Sequence, residues 1–165
     1  MQFIDSNQDR WQAVASDDAS SPDLTPVIAP APHIVIPFAQ WQALRATWPL
    51  DLPTGVVLPN DVAVTEIAAD LPRLALVELC FPKWTDGRAY SQAHLLRARH
   101  RFAGEVRATG DVLVDMLPLL QRNGFDAVQL RPDQSLAAAK RALTFFSSHY
   151  QGDATHPQPQ FAKVA

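Results

Sequence analysis

From residue 54 onward one unit recurs: a short apolar run of strand character, then a stretch with apolar residues three and four positions apart. The runs are "TGVVLP", "ALVELCF", "GEVRAT" and "DAVQL". The stretches carry Val64, Ile67, Ala68 and Leu71, then Ala89, Ala93 and Leu96, then Leu113, Met116, Leu117 and Leu120, and last Leu136, Ala139, Leu143, Phe146 and Tyr150. Such spacing predicts helices beginning near Asp61, Arg88, Leu113 and Asp133. The second is expected to run from Arg88 to Phe102 and the third to stop at Asn123-Gly124, with a kink at Pro118. Successive strand–helix units with short links imply a parallel sheet with right-handed crossovers.

Side chains alternate across a strand, so the runs also tell which face of the sheet is wet. Val77, Leu79 and Phe81 lie opposite Glu78 and Cys80; Val106 and Ala108 lie opposite Glu105, Arg107 and Thr109; Val128 and Leu130 lie opposite Gln129 and Arg131. A doubly wound sheet covered on both faces has strands that are apolar throughout. A polar face on three of four strands predicts instead a curved sheet with helices outside only, like half of a (β/α)8 barrel. Its inner face would carry Glu78, Arg107, Gln129 and Arg131. A flavodoxin-like three-layer sandwich is the alternative. A half-barrel has open edges, which the N-terminal segment or a second copy of the chain must cover, so a homodimer is an expected partner state.

The ends read differently. Residues 1–32 hold "SDDASSPDLTPVIAPAP" and little periodicity, which suits a flexible arm, with Trp11 as an anchor or an incidental aromatic in a tail or a short strand near residues 2 to 4. "HIVIP" predicts a short strand, and Pro37 then opens a helix bearing Phe38, Trp41, Leu44 and Trp48. Residues 33–151 form one α/β domain in this reading, and 152–165 a loose tail.

Ligands of parallel α/β sheets bind where loops and helix N-termini converge at the carboxyl ends of the strands. There the sequence places Lys83, Arg88 and Arg131, with Arg107 and Thr109 on the third strand. Gly87 and Gly110 offer backbone N–H groups nearby. Cations beside free donors are what a small oxyanion needs. Asp86 and Asp111 are the candidate proton donors or acceptors, and helix caps on the other reading. Arg97, Arg99, His100 and Arg101 lie farther along the helix, as a solvated face or a partner-docking patch.

Other chemistry is excluded or unsupported. The formal net charge of -3 and pI near 5.9 argue against a general nucleic-acid binder. No apolar run reaches membrane-spanning length, and "MQFIDSNQDR" lacks the features of a signal peptide, so a cytoplasmic protein is expected. A single cysteine, Cys80, excludes an internal disulfide and suits a reducing compartment. Near cationic loops its thiol is either reactive or a small buried hydrophobe. There is no G-x-G-x-x-G, no P-loop and no metal-ligand spacing among the histidines, so no cofactor or metal site is evident.

"FPKWTDGRAYSQAHLLRARHRFAGEVRATGDVLVDMLPLLQRNGFDAVQL", residues 81–130, resembles a bacterial family of uncharacterised proteins labelled as oxidoreductases of sulfite reduction, a domain of unknown function associated with sulfite reductase. The resemblance rests on Asp86, Gly87, Arg88, Tyr90, Ser91, Ala93, Leu95, Leu96 and Arg97. It continues at Gly104, Glu105, Arg107, Gly110, Asp111 and Asp115, and ends on Arg122, Gly124, Phe125 and Asp126. Met116 and Asn123 depart from it, the second where cysteine is common, so no redox role for that cysteine carries over. The resemblance implies work beside sulfite reductase or its electron donor in the assimilation of sulfate. An accessory protein that binds the reductase, a small oxyanion, or both is the favoured expectation, because self-contained redox chemistry needs a cofactor. The alternatives are a small enzyme of sulfur metabolism acting on an oxyanion, and an assembly factor without a ligand.

Overall fold

In a computed structural model, which describes residues 1–5, 8–14, 28–146, 149–154 and 156–162, the chain folds around a seven-stranded sheet. The strands are β1 (Gln2–Phe3), β2 (Gln12–Ala13), β3 (Ile34–Pro37), β4 (Thr54–Leu58), β5 (Leu74–Phe81), β6 (Glu105–Gly110) and β7 (Ala127–Val128). All pairings are parallel, in the order β1-β7-β6-β5-β4-β3-β2. The sheet curls into a half-barrel. Its outer face supplies Ile36, Val56, Leu58, Val77, Leu79, Phe81, Val106, Ala108 and Val128 to the main core. Against them pack α1 (Phe38–Leu44), α2 (Arg88–Ala98), α3 (Leu117–Arg122) and α4 (Leu136–Ala142) through Trp41, Ala93, Leu96, Leu117, Leu120 and Ala139. The helices therefore cover one face only, and the three-layer alternative does not occur.

The inner face is covered by the protein's own N-terminus. β1 pairs with β7 at one edge of the sheet and β2 with β3 at the other, and Asp9 and Trp11 between them lie against the concave side. Trp11 packs there on Val35 and Leu76, beside Val57. Gly55 makes room, since a Cβ on it would meet the Leu76 side chain at 2.9 Å. The described residues 1–5 and 8–14, which low periodicity assigns to an arm, thus supply both edge strands and a strap between them. β1 falls where the sequence allows a short strand near residues 2 to 4, whereas β2 is too short for alternation to reveal. The Asp-, Ser- and Pro-rich stretch at 15–27 lies outside the described residues.

Several helices differ from their sequence expectation. Between β4 and β5 there are two 3-10 turns, Val64–Glu66 and Leu71–Arg73, in place of an α-helix. Val62, Val64, Thr65 and Ile67 are weak helix formers, and Pro72 disfavours helical backbone at Leu71. Val64, Ile67 and Leu71 are buried nonetheless. Asp70, buried beside them, accepts hydrogen bonds from Trp41 Nε1 and Arg45 Nη1, both at 3.1 Å, which fastens α1 to this loop. α2 ends at Ala98, and Arg101 beyond it has φ 52°. Pro118 causes no mid-helix kink: a 3-10 turn at Val114–Met116 comes first, and Pro118 falls in the first turn of α3, where its missing N–H costs nothing. α4 is capped by Ser135, whose Oγ accepts from Ala138 N at 3.3 Å, because Asp133 is held elsewhere. The C-terminal segment returns to α3, with Ala154 N–H donating to the Arg122 carbonyl at 3.0 Å. No helix among the described residues is long and apolar enough to cross a membrane.

Candidate functional site

At the carboxyl ends of the strands, carboxylates join the loops in series. Asp86, in the loop after β5, accepts from Asn60 Nδ2 of the loop after β4 at 2.8 Å. The same carboxylate grips Arg88, with Nη2 at 2.7 Å and Nε at 3.0 Å. Asp111, after β6, accepts from the Trp84 backbone N–H at 3.0 Å and from Arg131 Nη1 at 2.7 Å. Arg131, after β7, also donates to Asp133 from Nε at 2.6 Å and Nη2 at 2.7 Å. Gln92, on the buried face of α2, holds the first loop from beneath through the carbonyls of Pro59 and Val62, at 2.7 and 2.8 Å. Gly110 turns the chain at φ +89°, and a Cβ there would sit 2.4 Å from the Phe81 carbonyl. Four loops are thereby braced into one rim.

The electrostatics follow from that bracing. Hydrogen bonds from Arg88 hold the Asp86 carboxyl down at about 2, and those from Arg131 do the same for Asp133. The Trp84 N–H, helped by Arg131, lowers Asp111 as well. Carboxyls held so firmly ionised are suited to gripping donors rather than to exchanging protons near neutrality. Lys83 and Trp84 stand exposed on this rim, Trp84 at 55%.

Arg107 and Thr109 do not join the rim. They face the concave side from within β6, where Arg107 lies beside Glu78 of β5 in register. Arg107, only 4% exposed, is paired with Asp9 of the strap through both terminal nitrogens and with Glu105 through Nε at 3.0 Å. Burial opposes its charge, but the two carboxylates outweigh that and raise its pKa. The Thr109 hydroxyl donates to Glu78 Oε1 at 2.9 Å. Burial pushes the Glu78 carboxyl up despite that bond, and burial together with Glu78 pushes the Cys80 thiol up, which keeps it a thiol. The sequence-derived candidates thus fall into two groups: Lys83, Asp86, Arg88, Gly110, Asp111 and Arg131 on the rim, and Arg107 and Thr109 on the concave face.

Arg97 departs from its reading as part of a solvated face. Its Nε donates to the Gly124 carbonyl and its Nη1 to the Gly104 carbonyl, each at 2.9 Å, with the Phe102 carbonyl and the Asp126 carboxylate completing its partners. All three blocks of the family resemblance meet at this guanidinium. Asp9, Asn60 and Gln92 were not singled out by sequence. Only Gln92 had a signal, a polar residue in register with Ala89, Ala93 and Leu96.

The family model described as "Bacterial protein of unknown function (DUF934)" matches residues 55–161, from β4 onward. No curated protein matches the chain. With most of its length matched, including the rim and every residue that carries the resemblance, the chain belongs to this bacterial family of unknown function, DUF934.

Proposed function

We propose that this chain is a cytoplasmic accessory protein of assimilatory sulfite reduction, which docks on sulfite reductase or its electron donor by the loop rim and handles a small oxyanion. The observation that carries the binding role is the state of the rim. Arg88 and Arg131 are already bound by Asp86, Asp111 and Asp133, while Trp84 projects from the braced loops. A fixed surface with an exposed tryptophan beside a lysine has the character of a protein-binding hot spot. Carboxylates committed to neighbouring cations and backbone are less suited to proton transfer, which favours docking over a small enzyme acting through Asp86 and Asp111. The pathway comes from the resemblance of residues 81–130.

Deletion of the gene tests the pathway. The expected strain grows poorly on sulfate and sulfite as sole sulfur source and normally on sulfide or cysteine. Equal growth on all four would overturn the assignment.

A further inference from the structure

A buried guanidinium is costly unless its hydrogen-bonding edges are filled. The two carboxylates that fill those of Arg107 differ in origin. Glu105 stands two residues away on the same strand and face, so the fold of β6 supplies it. Asp9 comes from the strap, which short strands hold at its ends. Gln2 N donates to Asp126 O at 2.7 Å and Ile4 N to Val128 O at 2.9 Å on one side. Gln12 N donates to His33 O at 2.9 Å and Val14 N to Val35 O at 3.1 Å on the other. Asp9 is thus the one partner of Arg107 that a local movement removes while the helices and central strands stay in place.

The way Asp9 binds is that of a ligand. Its two oxygens engage Nη1 and, at 3.3 Å, the Nη2 that Glu105 also takes at 2.9 Å, the fork geometry by which arginine takes carboxylates, sulfates and phosphates. A cleft of about 390 Å³ lies between strap and sheet, lined by Gln8, Asp9, Arg10, Trp11, Glu105 and Arg107 among others. Arg107 lies inside the family-matched span and Asp9 outside it.

The rim makes a poorer anion site. Asp86 and Asp133 sit two residues from the arginines they hold and brace the same loops, so an incoming anion would have to dismantle the loop to reach the cation. On the concave face an anion has only to displace a carboxylate that the strap supplies, and not one from the arginine's own loop.

We propose that the cleft beneath the N-terminal strap is the oxyanion site of this protein, with Asp9 as its built-in competitor. The Asp9 carboxylate occupies Arg107 until an anion of the sulfate and sulfite class takes its place, and the strap then leaves the concave face. This deepens the oxyanion half of the proposed function and is independent of docking on the reductase, so the growth phenotype and the strap can fail separately.

Trypsin reads the position of the strap, because Arg10 lies within it. Sodium sulfate, with ionic strength held constant by sodium chloride, is expected to raise cleavage after Arg10 several-fold and saturably in the full-length protein. Sulfate as a general stabiliser slows proteolysis, so the expected sign differs from its nonspecific effect. Arg107→Gln is expected to lose the response. Asp9→Asn, with the competitor's charge removed, is expected to be cleaved faster without sulfate and to bind sulfate about tenfold more tightly by calorimetry. Should Arg107→Gln fail to fold, Asp9→Asn decides alone. The proposal is overturned if sulfate leaves cleavage after Arg10 unchanged or slows it, if chloride alone gives the same acceleration, or if folded Asp9→Asn binds sulfate no better than the parent protein.

Discussion

At the scale of single residues, Arg97 shows how much of this protein's signature is architectural. One guanidinium satisfies the carbonyls of Phe102, Gly104 and Gly124 and pairs with Asp126, so the ends of α2 and α3 and the starts of β6 and β7 share one hub. Arg97→Ala would take this donor from three carbonyls at once and leave Asp126 with the Val106 N–H alone. The expected cost is about 3 kcal/mol in urea denaturation, with at most partial recovery by Lys, which lacks the planar fork. A loss below about 1 kcal/mol would refute the hub. The sequence could not disclose it, since helix spacing places Arg97 on α2 but not against loops 27 and 29 residues away. Arg107 was half legible: Glu105 lies within its own strand, whereas Asp9 is separated from it by 98 residues.

Among the elements, β5 and β6 were the most readable, because alternation over eight and six residues separates a core face from a polar one. That contrast is what made the half-barrel legible. The register sets Glu78 beside Arg107 and Cys80 beside Thr109, which concentrates ionisable groups on the concave side. Burial raises the Glu78 pKa above its ordinary 4.5, so the folded state holds that proton more tightly than the unfolded chain. Its contribution to stability is therefore greatest below that ordinary value and is lost as pH rises through the folded pKa. Glu78→Gln keeps an acceptor for the Thr109 hydroxyl and removes the charge. Its melting temperature relative to wild type should be higher at pH 8 than at pH 4, and a difference independent of pH would contradict this reading. The segment after β4 was the least readable element, since 3-10 turns keep apolar spacings of three and four that a helix also shows.

In the whole molecule, one parallel sheet has three differently treated boundaries. Helices cover its outer face, the N-terminal segment supplies both edge strands and the strap on its inner face, and the carboxylate-braced rim closes the ends of its strands. The rim could be placed from sequence because the strand–helix order fixes which loops converge. Its pairing could not, because which aspartate meets which arginine depends on sheet curvature and loop geometry. Trp84 is the exposed feature of this rim, and Arg99, on the last turn of the α2 region, serves as a control away from it. Calorimetric titration of purified sulfite reductase with the wild-type protein, Trp84→Ala and Arg99→Glu tests the docking claim directly. The account predicts saturable binding by wild type, about tenfold weaker binding by Trp84→Ala, and little change in Arg99→Glu. No binding by the wild-type protein, or binding that Trp84→Ala leaves intact, would contradict it.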